Sequence, residues 1–284
     1  MGFIIAVATA VAVSLQNTRF RKLSGVSTHF LNWARFIVAS LLLAILVTLF
    51  TEWDVPPKQF WFLIIGLSLP LELLVSFFYV KAFQISPQSL VGPLFSFSVV
   101  FLVPLGFFLL GELPTMFGII GVLLIFIGSF YLGSEDLHSS HMNKIKNIFK
   151  EKGSYLMIAA ALFAASAVSI AKFSFQYATP LLFAFYITLM LFLIYTPIAL
   201  KNITTLKSTQ WRDLFFMSIT YGIGIVLHYI GLSLLLATYF ISIKRLSIVL
   251  DVLYGRAIHK EEHFRKRLVG VLIMVGGVVL IVFV

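Results

Sequence analysis

Ten stretches of about twenty mostly apolar residues follow one another along the chain, and they decide what it can fold into. Lipid offers backbone groups no water to bond, so a segment of this kind satisfies its own hydrogen bonds by forming a helix. The runs are continuous and do not alternate, which excludes a closed β-barrel. We therefore predict an all-α, polytopic membrane protein with ten transmembrane helices near residues 2–18, 28–50, 59–81, 88–110, 113–133, 154–176, 179–199, 212–236, 239–258 and 265–284.

The charge content supports a membrane protein and not a soluble one. Charged residues make up 11% of the 284 positions, against about 25% in a soluble domain. A net charge of +10 would suggest nucleic acid as a partner of a soluble protein. Here basic cytoplasmic loops explain it, and we expect no nucleic-acid partner. The N-terminus lacks a basic region and a cleavage site, so we interpret it as the first span.

The basic residues also predict the orientation. If the ten spans are taken in order, the lysines and arginines crowd on one side of the membrane, at Arg19, Arg21, Lys22, Lys81, Lys144, Lys146, Lys150, Lys152, Lys201, Lys207, Arg212, Arg256, Lys260, Arg265, Lys266 and Arg267. The other side has Lys58, Lys172, Lys244 and Arg245, and Arg35 lies inside the second span. Because the positive side is usually cytoplasmic, we expect both termini of this inner-membrane protein to face outward.

The longest loop, residues 134–153, divides the chain into a first five-helix half, residues 1–133, and a second, residues 154–284. Within this cytoplasmic linker an apolar stripe of Met142, Ile145, Ile148 and Phe149 alternates with lysines. That pattern is typical of a short helix lying on the anionic leaflet. A solvated basic loop fits the same residues.

The two halves repeat one another. An offset of 149 residues places Ser98 on Ser247, Gly106 on Gly255, Glu112 on Glu261, Gly121 on Gly270 and Gly128 on Gly277. We interpret both glutamates as structural loop residues. Because each half has an odd number of spans, the second half must enter the membrane inverted. Inverted repeats are characteristic of secondary transporters, whose halves rock about a site at mid-membrane.

The same segments resemble a known family. SFSVVFLVPLGFFLLGELPTMFGIIGVLLIFIGSFYL, at residues 96–132, and YFISIKRLSIVLDVLYGRAIHKEEHFRKRLVGVLIMVGGVVLIV, at residues 239–282, each resemble the end of an EamA domain. WARFIVASLLLAIL, at residues 33–46, is similar to the family's Arg-Phe span. The chain thus resembles the EamA-type transporters of the drug/metabolite transporter superfamily, which implies ten helices, alternating access and frequent roles in efflux of amino acids or other small metabolites.

Two positions depart from the family pattern. Members usually carry a basic loop after the second span, which implies cytoplasmic termini, whereas here that loop contains Glu52 and Asp54. The charge distribution and the resemblance therefore predict opposite orientations, and we retain the one from charge. Asp251 stands where members usually have an apolar residue, which indicates a distinct substrate or coupling mode.

Ionisable groups inside the spans are the first candidates for transport, because each costs about 2.5–3.5 kcal/mol to insert. Glu72 lies nine residues before Lys81, about 13 Å deep. Arg35 lies at a similar depth on the antiparallel second span, about 10 Å from the same side. A Glu72–Arg35 pair is therefore allowed. It would either bind a proton or a charged substrate, or simply join two helices.

A second set of candidates lies on the ninth span. Lys244 and Asp251 are seven residues apart and lie on nearly one helical face, while Arg245 points elsewhere. His228 of the eighth span is at a depth where it could join them. A packed histidine and two basic side chains that reach for the interface are the alternative explanation.

Further polar residues are weaker candidates. Gln16 and Asn17 close the first span, where substrate contact and helix capping fit equally well. Tyr221 and Tyr229 either line a cavity or pack in the core. Three prolines within helices are hinges or simple kinks, namely Pro70, Pro93 and Pro104.

Other functions fit the sequence less well. There is no G-x-S-x-G or H-E-x-x-H motif and no cysteine, so we predict neither an enzyme nor a metal or cofactor site. The chain also lacks a P-loop, and we predict coupling to an ion gradient, protons included, or passive exchange. The alternative is a flippase for a lipid or lipid-linked headgroup, which Lys244 and Arg245 would suit. We expect a small metabolite and membrane lipids as partners; the sequence leaves the substrate, the direction and a homodimer open.

Overall fold

A computed structural model describes residues 1–23, 25–86, 92–134, 151–201, 208–251 and 264–283. In these ranges the ordered elements are helices. In chain order they are α1 (Gly2–Phe20), α2 (Thr28–Phe50), α3 (58–85), α4 (92–110), α5 (Met116–Ser134), α6 (Lys152–Ser174), α7 (Pro180–Lys201), α8 (Ser208–Leu234), α9 (Ala237–Lys244) and α10 (Phe264–Val282).

The all-helical membrane fold is confirmed in its general form. Among the described residues, six helices are long and apolar enough to cross a membrane. They cover Thr28–Phe50, Lys58–Tyr79, Pro93–Leu110, Lys152–Ser174, Pro180–Lys201 and Gln210–Leu234, and Met116–Tyr131 and Leu268–Val282 are shorter apolar helices. The count of ten spans stays a prediction, as does the interfacial helix, because most of the 134–153 linker lies outside the described residues.

Local sequence explains where helices begin. Pro57 immediately precedes α3, and Pro180 is the first residue of α7. Proline suits such positions because a first-turn residue has no use for an N–H. The hydroxyl of Thr179 accepts a hydrogen bond of 3.3 Å from Leu182 N–H, and that of Thr115 accepts one of 3.1 Å from Gly118 N–H. Both are N-caps, which satisfy otherwise unbonded amides of the first turn.

The three prolines singled out in the sequence lie where the helix changes type. In α3 a π-helical segment, Phe62–Ser68, ends just before Pro70. Pro93 belongs to the 3-10 turn Gly92–Ser96 that opens α4, and Pro104 precedes the π-helical segment that ends α4. A missing N–H and a bulky ring disturb the regular hydrogen-bond ladder. The prolines therefore mark irregular, locally wound helix and not simple breaks.

The helices form two compact units. Unit 1 comprises residues Met1–Leu69 and Ala171–Leu235. In it α1 packs along α8, and α2 packs against α7 and α8. Its buried core lies around Phe30, Leu31, Leu214 and Met217, with Trp33 against them.

Unit 2 comprises residues Pro70–Ile170 and Leu236–Val284. Here α5 packs along α10, and the short α9 packs against α4 and α5. A second core includes Ala82, Leu94, Met157 and Ala160. Each unit takes segments from both predicted halves of the chain. The division into halves at the linker therefore remains a statement about the sequence repeat.

The crossing of α5 and α10 depends on glycines. A Cβ built on Gly121 would lie 2.6 Å from the carbonyl oxygen of Gly277, and one on Gly277 would lie 2.5 Å from that of Gly121. Two helical turns further along α5, a Cβ on Gly128 would lie 2.7 Å from the carbonyl oxygen of Gly270. The pairing 121 with 277 and 128 with 270 shows that the two helices run antiparallel. Only glycine lets the two backbones approach this closely.

The ninth predicted span differs from expectation. We expected one helix over 239–258, but α9 ends at Lys244, Arg245 forms a turn, and residues 246–251 are again helical. Ile248 N–H bonds Arg245 C=O at 3.0 Å, which is the tighter i to i+3 pattern. The argument that placed Lys244 and Asp251 on one face assumed a regular helix, and the placement of the two residues on one face stays a prediction.

Candidate functional site

A set of charged side chains lies in unit 2, with Glu72 in α3 and Lys244 and Arg245 at the end of α9. Glu72 and Lys244 attract one another electrostatically, and the positive charge of Arg245 repels that of Lys244. All three side chains are half-buried. An opposite charge offsets part of the cost of holding each ion inside a membrane helix. This arrangement joins the acidic and basic candidates that the sequence placed in separate halves.

Arg245 is held in a polar and aromatic setting. Its Nη2 donates a hydrogen bond of 2.6 Å to Ser98 Oγ of α4. Its Cζ lies 4.5 Å from the centre of the Phe95 ring, and that ring also packs against the Tyr79 ring at 5.0 Å. A planar guanidinium suits both contacts, because it can stack on a ring while it donates in its own plane. The contact fixes the orientation of a cation that remains partly accessible.

The helices that carry this cluster are irregular at equivalent points of the repeat. In α4 the 3-10 turn ends at Ser96 and the α-helix resumes at Phe97. With the offset of 149 residues these positions correspond to Arg245 and Leu246, where α9 ends and the following helical segment begins. Interrupted helices expose backbone groups and often surround functional sites. The cluster lies at one such interruption.

Asp251 ends the described part of that segment. It is half-buried and belongs to the helical residues 246–251. Its predicted grouping with Lys244 and His228 stays a prediction, since His228 belongs to unit 1 and the turn at Arg245 changes the register.

A second polar cluster, in unit 1, surrounds Arg35. Its Nη2 donates a hydrogen bond to Asn32 Oδ1, one turn earlier on α2. Its Cζ lies 4.8 Å from the Tyr221 ring of α8 and 5.9 Å from the Phe36 ring. Asn32 is buried, while Arg35 and Tyr221 are half-buried. The structure thus joins two predicted site residues, Arg35 and Tyr221. The predicted pair of Arg35 with Glu72 links different units and stays a prediction.

The remaining candidates of unit 1 lie in the helix interior. His228 and Tyr229 are buried neighbours on α8, and the Tyr229 ring packs 5.4 Å from that of Phe183. The packing reading fits Tyr229, because aromatic rings surround it. Gln16 is buried and Asn17 half-buried, and both lie inside α1, which continues to Phe20. They do not end the helix, so the capping alternative is wrong for them.

Charged residues at helix ends have structural roles. Arg19 of α1 forms an ion pair of 3.3 Å with Asp213 of α8, and its Cζ lies 4.5 Å from the Phe216 ring. Lys172 of α6 donates to the carbonyl of Leu235, just past the end of α8. A cation at that end also opposes the helix dipole. These contacts join helices of unit 1.

Two open cavities also lie in unit 1, of about 380 and 460 Å³. The smaller is lined by Lys58, Phe62 and Phe173 among others, the larger by the acidic loop of Glu52 and Asp54. Neither lining includes any of the ten predicted site residues. We give neither cavity a part in the site.

Sequence reasoning missed the neighbours that hold the charges. Ser98 appeared only as a repeat match, and Asn32, Phe95 and Tyr79 did not appear at all. Asn32 had a usable signal, since a buried amide one turn before an arginine in an apolar helix needs a partner. Phe95 and Tyr79 had none, because aromatic residues are frequent throughout the chain.

Several apolar helices long enough to cross a bilayer define a polytopic α-helical membrane protein. The profile described as the EamA-like transporter family matches residues 1–134 and 151–283. The chain therefore belongs to the EamA-like transporter family, part of the drug/metabolite transporter superfamily, and is a membrane transporter.

Comparison with solved structures supports the fold. A crystal structure described only as that of a protein matches with a TM-score of 0.78 at 14% sequence identity. The match covers 98% of this chain and 95% of the other. At this identity the likeness concerns the fold alone. No curated protein sequence matched the chain.

Proposed function

We propose that the protein is a secondary transporter of amino acids or other small metabolites that works by alternating access. The observation that carries the proposal is the unit 2 cluster, in which Glu72 interacts with Lys244 beside Arg245. An amino acid carries an ammonium and a carboxylate. Glu72 would bind the ammonium, and the two cations would bind the carboxylate.

The exchange of partners makes this chemistry feasible. Without substrate, Glu72 and Lys244 neutralise one another in part. A zwitterion entering between them replaces each partner with another of the same sign. The site then loses no counter-charge when it fills, which keeps the cost of binding inside the membrane low.

The glycine crossing supports inverted repeats. Under the offset of 149 residues, Gly121 corresponds to Gly270 and Gly128 to Gly277. The observed pairs are 121 with 277 and 128 with 270, so exchanging the halves turns each pair into the other. Repeat-equivalent helices that run antiparallel are what two inverted halves require. Inverted halves in turn support alternating access about a central site.

We further propose export as the direction, coupling to a proton through Glu72, and an inner-membrane location with both termini outside. The family resemblance supports export, and the distribution of basic residues supports termini that face outward. Glu72 supports proton coupling because it is a carboxyl group within a membrane helix, the kind of group that relays protons in transporters.

Thermal unfolding of the purified protein against amino acids, sugars, nucleosides, cationic drugs and lipid headgroups tests the proposal. A ligand at one hundred times its dissociation constant adds about 2.7 kcal/mol. We expect amino acids to raise the unfolding temperature of wild type and to lose that effect in Glu72→Gln. A shift produced by lipid headgroups alone, lost in Lys244→Met, would overturn the proposal in favour of the flippase.

A further inference from the structure

The loop between α4 and α5 holds the first turn of α9. It begins at Gly111, whose φ of 66° is left-handed and so favours glycine. Glu112 N–H then bonds back to Gly106 C=O at 3.0 Å, and Gly111 N–H bonds Phe107 C=O at 3.1 Å, which satisfies carbonyl groups of the last turn of α4. These bonds set where the Glu112 side chain leaves the backbone.

Glu112 reaches the start of α9. Its Oε2 accepts a hydrogen bond of 2.7 Å from Ala237 N–H, and Ala237 is the first residue of that helix and fully buried. The first amides of a helix lack partners within it. A carboxylate there accepts a charge-assisted hydrogen bond, and its negative charge interacts favourably with the positive end of the helix dipole. The cap on α9 therefore comes from a different helix pair.

Tyr239 joins the same two elements a second time. Its Oη accepts a hydrogen bond of 2.9 Å from Thr115 N–H, and the ring is buried. A Cβ on Gly118 would collide with this hydroxyl and its ring carbon. Glycine at 118 is thus required for Tyr239 to reach the loop. Two independent hydrogen bonds fix α9 at its first turn.

The other end of α9 carries the charged groups of the candidate site. Ala237 and Lys244 are the first and last residues of the helix, so they lie about 10 Å apart along its axis. A helix this short moves as one body. A displacement at Ala237 therefore also displaces Lys244 and Arg245 relative to Glu72 and Ser98.

We propose that Glu112 and Tyr239 are positioning residues, which hold α9 so that Lys244 and Arg245 keep their places in the transport site. This rests on the proposed function. It gives Glu112, whose place in the repeat indicated a structural loop residue, an effect on substrate affinity. Precise placement matters because the hydrogen bonds that charged groups make to a substrate weaken steeply when their distances and angles leave a narrow range.

The absence of cysteine from the chain allows a direct test. Ser242→Cys places a single thiol on α9 at a fully buried position, and its reaction with N-ethylmaleimide reports how often α9 moves away. In this background Glu112→Ala should speed labelling about tenfold, as expected for loss of a helix cap. Glu112→Gln, which keeps an acceptor oxygen, should stay within about threefold of the parent.

The matched control is Glu151→Ala. Glu151 is also in unit 2, immediately before α6, and accepts a hydrogen bond of 3.2 Å from Ser86 Oγ of α3. Its loss should leave labelling unchanged. If Glu112→Ala does not survive purification, Tyr239→Phe replaces it, with an increase of about threefold expected for one lost hydrogen bond. Labelling equal to the parent in these variants overturns the proposal.

Transport kinetics separate positioning from mere stability. With a radiolabelled amino acid that raises the unfolding temperature, Glu112→Ala should increase KM about tenfold per correctly folded molecule, and Glu112→Gln should restore it. Faster labelling with an unchanged KM overturns the positioning role. If wild type transports no amino acid, the proposed function fails, and labelling alone decides whether Glu112 holds α9.

Discussion

The backbones of Gly121 of α5 and Gly277 of α10 lie so close that a Cβ on either glycine would collide with the carbonyl oxygen of the other. Gly128 makes the same kind of approach to Gly270 further along. The crossing joins repeat-equivalent helices of unit 2 through their backbones. It is therefore both a stability element and a mark of the repeat.

Gly277→Ala should destabilise the protein by about 1–3 kcal/mol, because the added methyl group forces two backbones apart. The neighbouring Gly276 is the matched control, since nothing lies within 4 Å of a Cβ built there. Gly276→Ala should be neutral or stabilise by up to about 1 kcal/mol through helix propensity. Thermal unfolding in detergent compares them, and equal midpoints for the two variants would show that the crossing does not require glycine at 277.

Glu72 and Lys244 should show a favourable coupling in a double-mutant cycle. With Glu72→Gln and Lys244→Met, unfolding free energies should give an interaction of about 0.5–3 kcal/mol, because removal of either ion leaves the other without its counter-charge. Lys152→Met, at an exposed position of unit 2, serves as the control partner for Glu72→Gln. Its coupling should be within about 0.5 kcal/mol of zero. Equal couplings for the two lysines would contradict a specific Glu72–Lys244 interaction.

Transport by wild type should respond to an imposed pH gradient, whereas the residual transport by Glu72→Gln should not. The carboxyl group can bind and release a proton during the cycle, but the amide cannot. The measurement is uptake of the same labelled amino acid into proteoliposomes with and without the gradient. If wild type is as insensitive as the variant, the transporter is not proton-coupled through Glu72.

Accessibility of introduced thiols decides the orientation. Lys22 and Lys58 are both exposed and lie at helix ends, on opposite sides in our assignment. In intact cells an impermeant maleimide should label Lys58→Cys and should reach Lys22→Cys only after the cells are broken. The reverse pattern would place the termini inside, as the family resemblance implies, and would show that the acidic loop of Glu52 and Asp54 does not set the topology.

The lengths of the apolar segments predicted helix positions such as that of α2, because the thickness of the bilayer fixes how many consecutive apolar residues a spanning helix needs. The second span was placed at residues 28–50, where α2 lies. The turn at Arg245 was not predicted, because a charged pair in an apolar run does not by itself show whether the helix continues. Lateral contacts were also out of reach. Arg245 and Ser98 are 147 positions apart in the chain, and no periodicity connects them.

Depth in the membrane could be predicted for the charged candidates, whereas their lateral neighbours could not. Depth along a helix can be counted from the sequence, so Glu72 and Arg35 could be assigned similar depths in the membrane. Direction around the helix axis depends on neighbouring helices. In the structure Glu72 interacts with Lys244, and Arg35 contacts Asn32 and Tyr221.

Counterflow through proteoliposomes is the most direct test that the unit 2 cluster binds the substrate. Vesicles loaded with an unlabelled amino acid should accumulate the labelled one through wild type, and Arg245→Lys should reduce the initial rate more than tenfold. Lysine cannot reproduce the planar contact with both Ser98 and Phe95. Arg19→Lys is the control, since Arg19 also lies 4.5 Å from a phenylalanine ring but belongs to unit 1. It should change the rate less than about threefold. Unchanged counterflow in Arg245→Lys would contradict the account. So would a wild-type protein that exchanges no soluble amino acid but moves labelled lipid across the membrane.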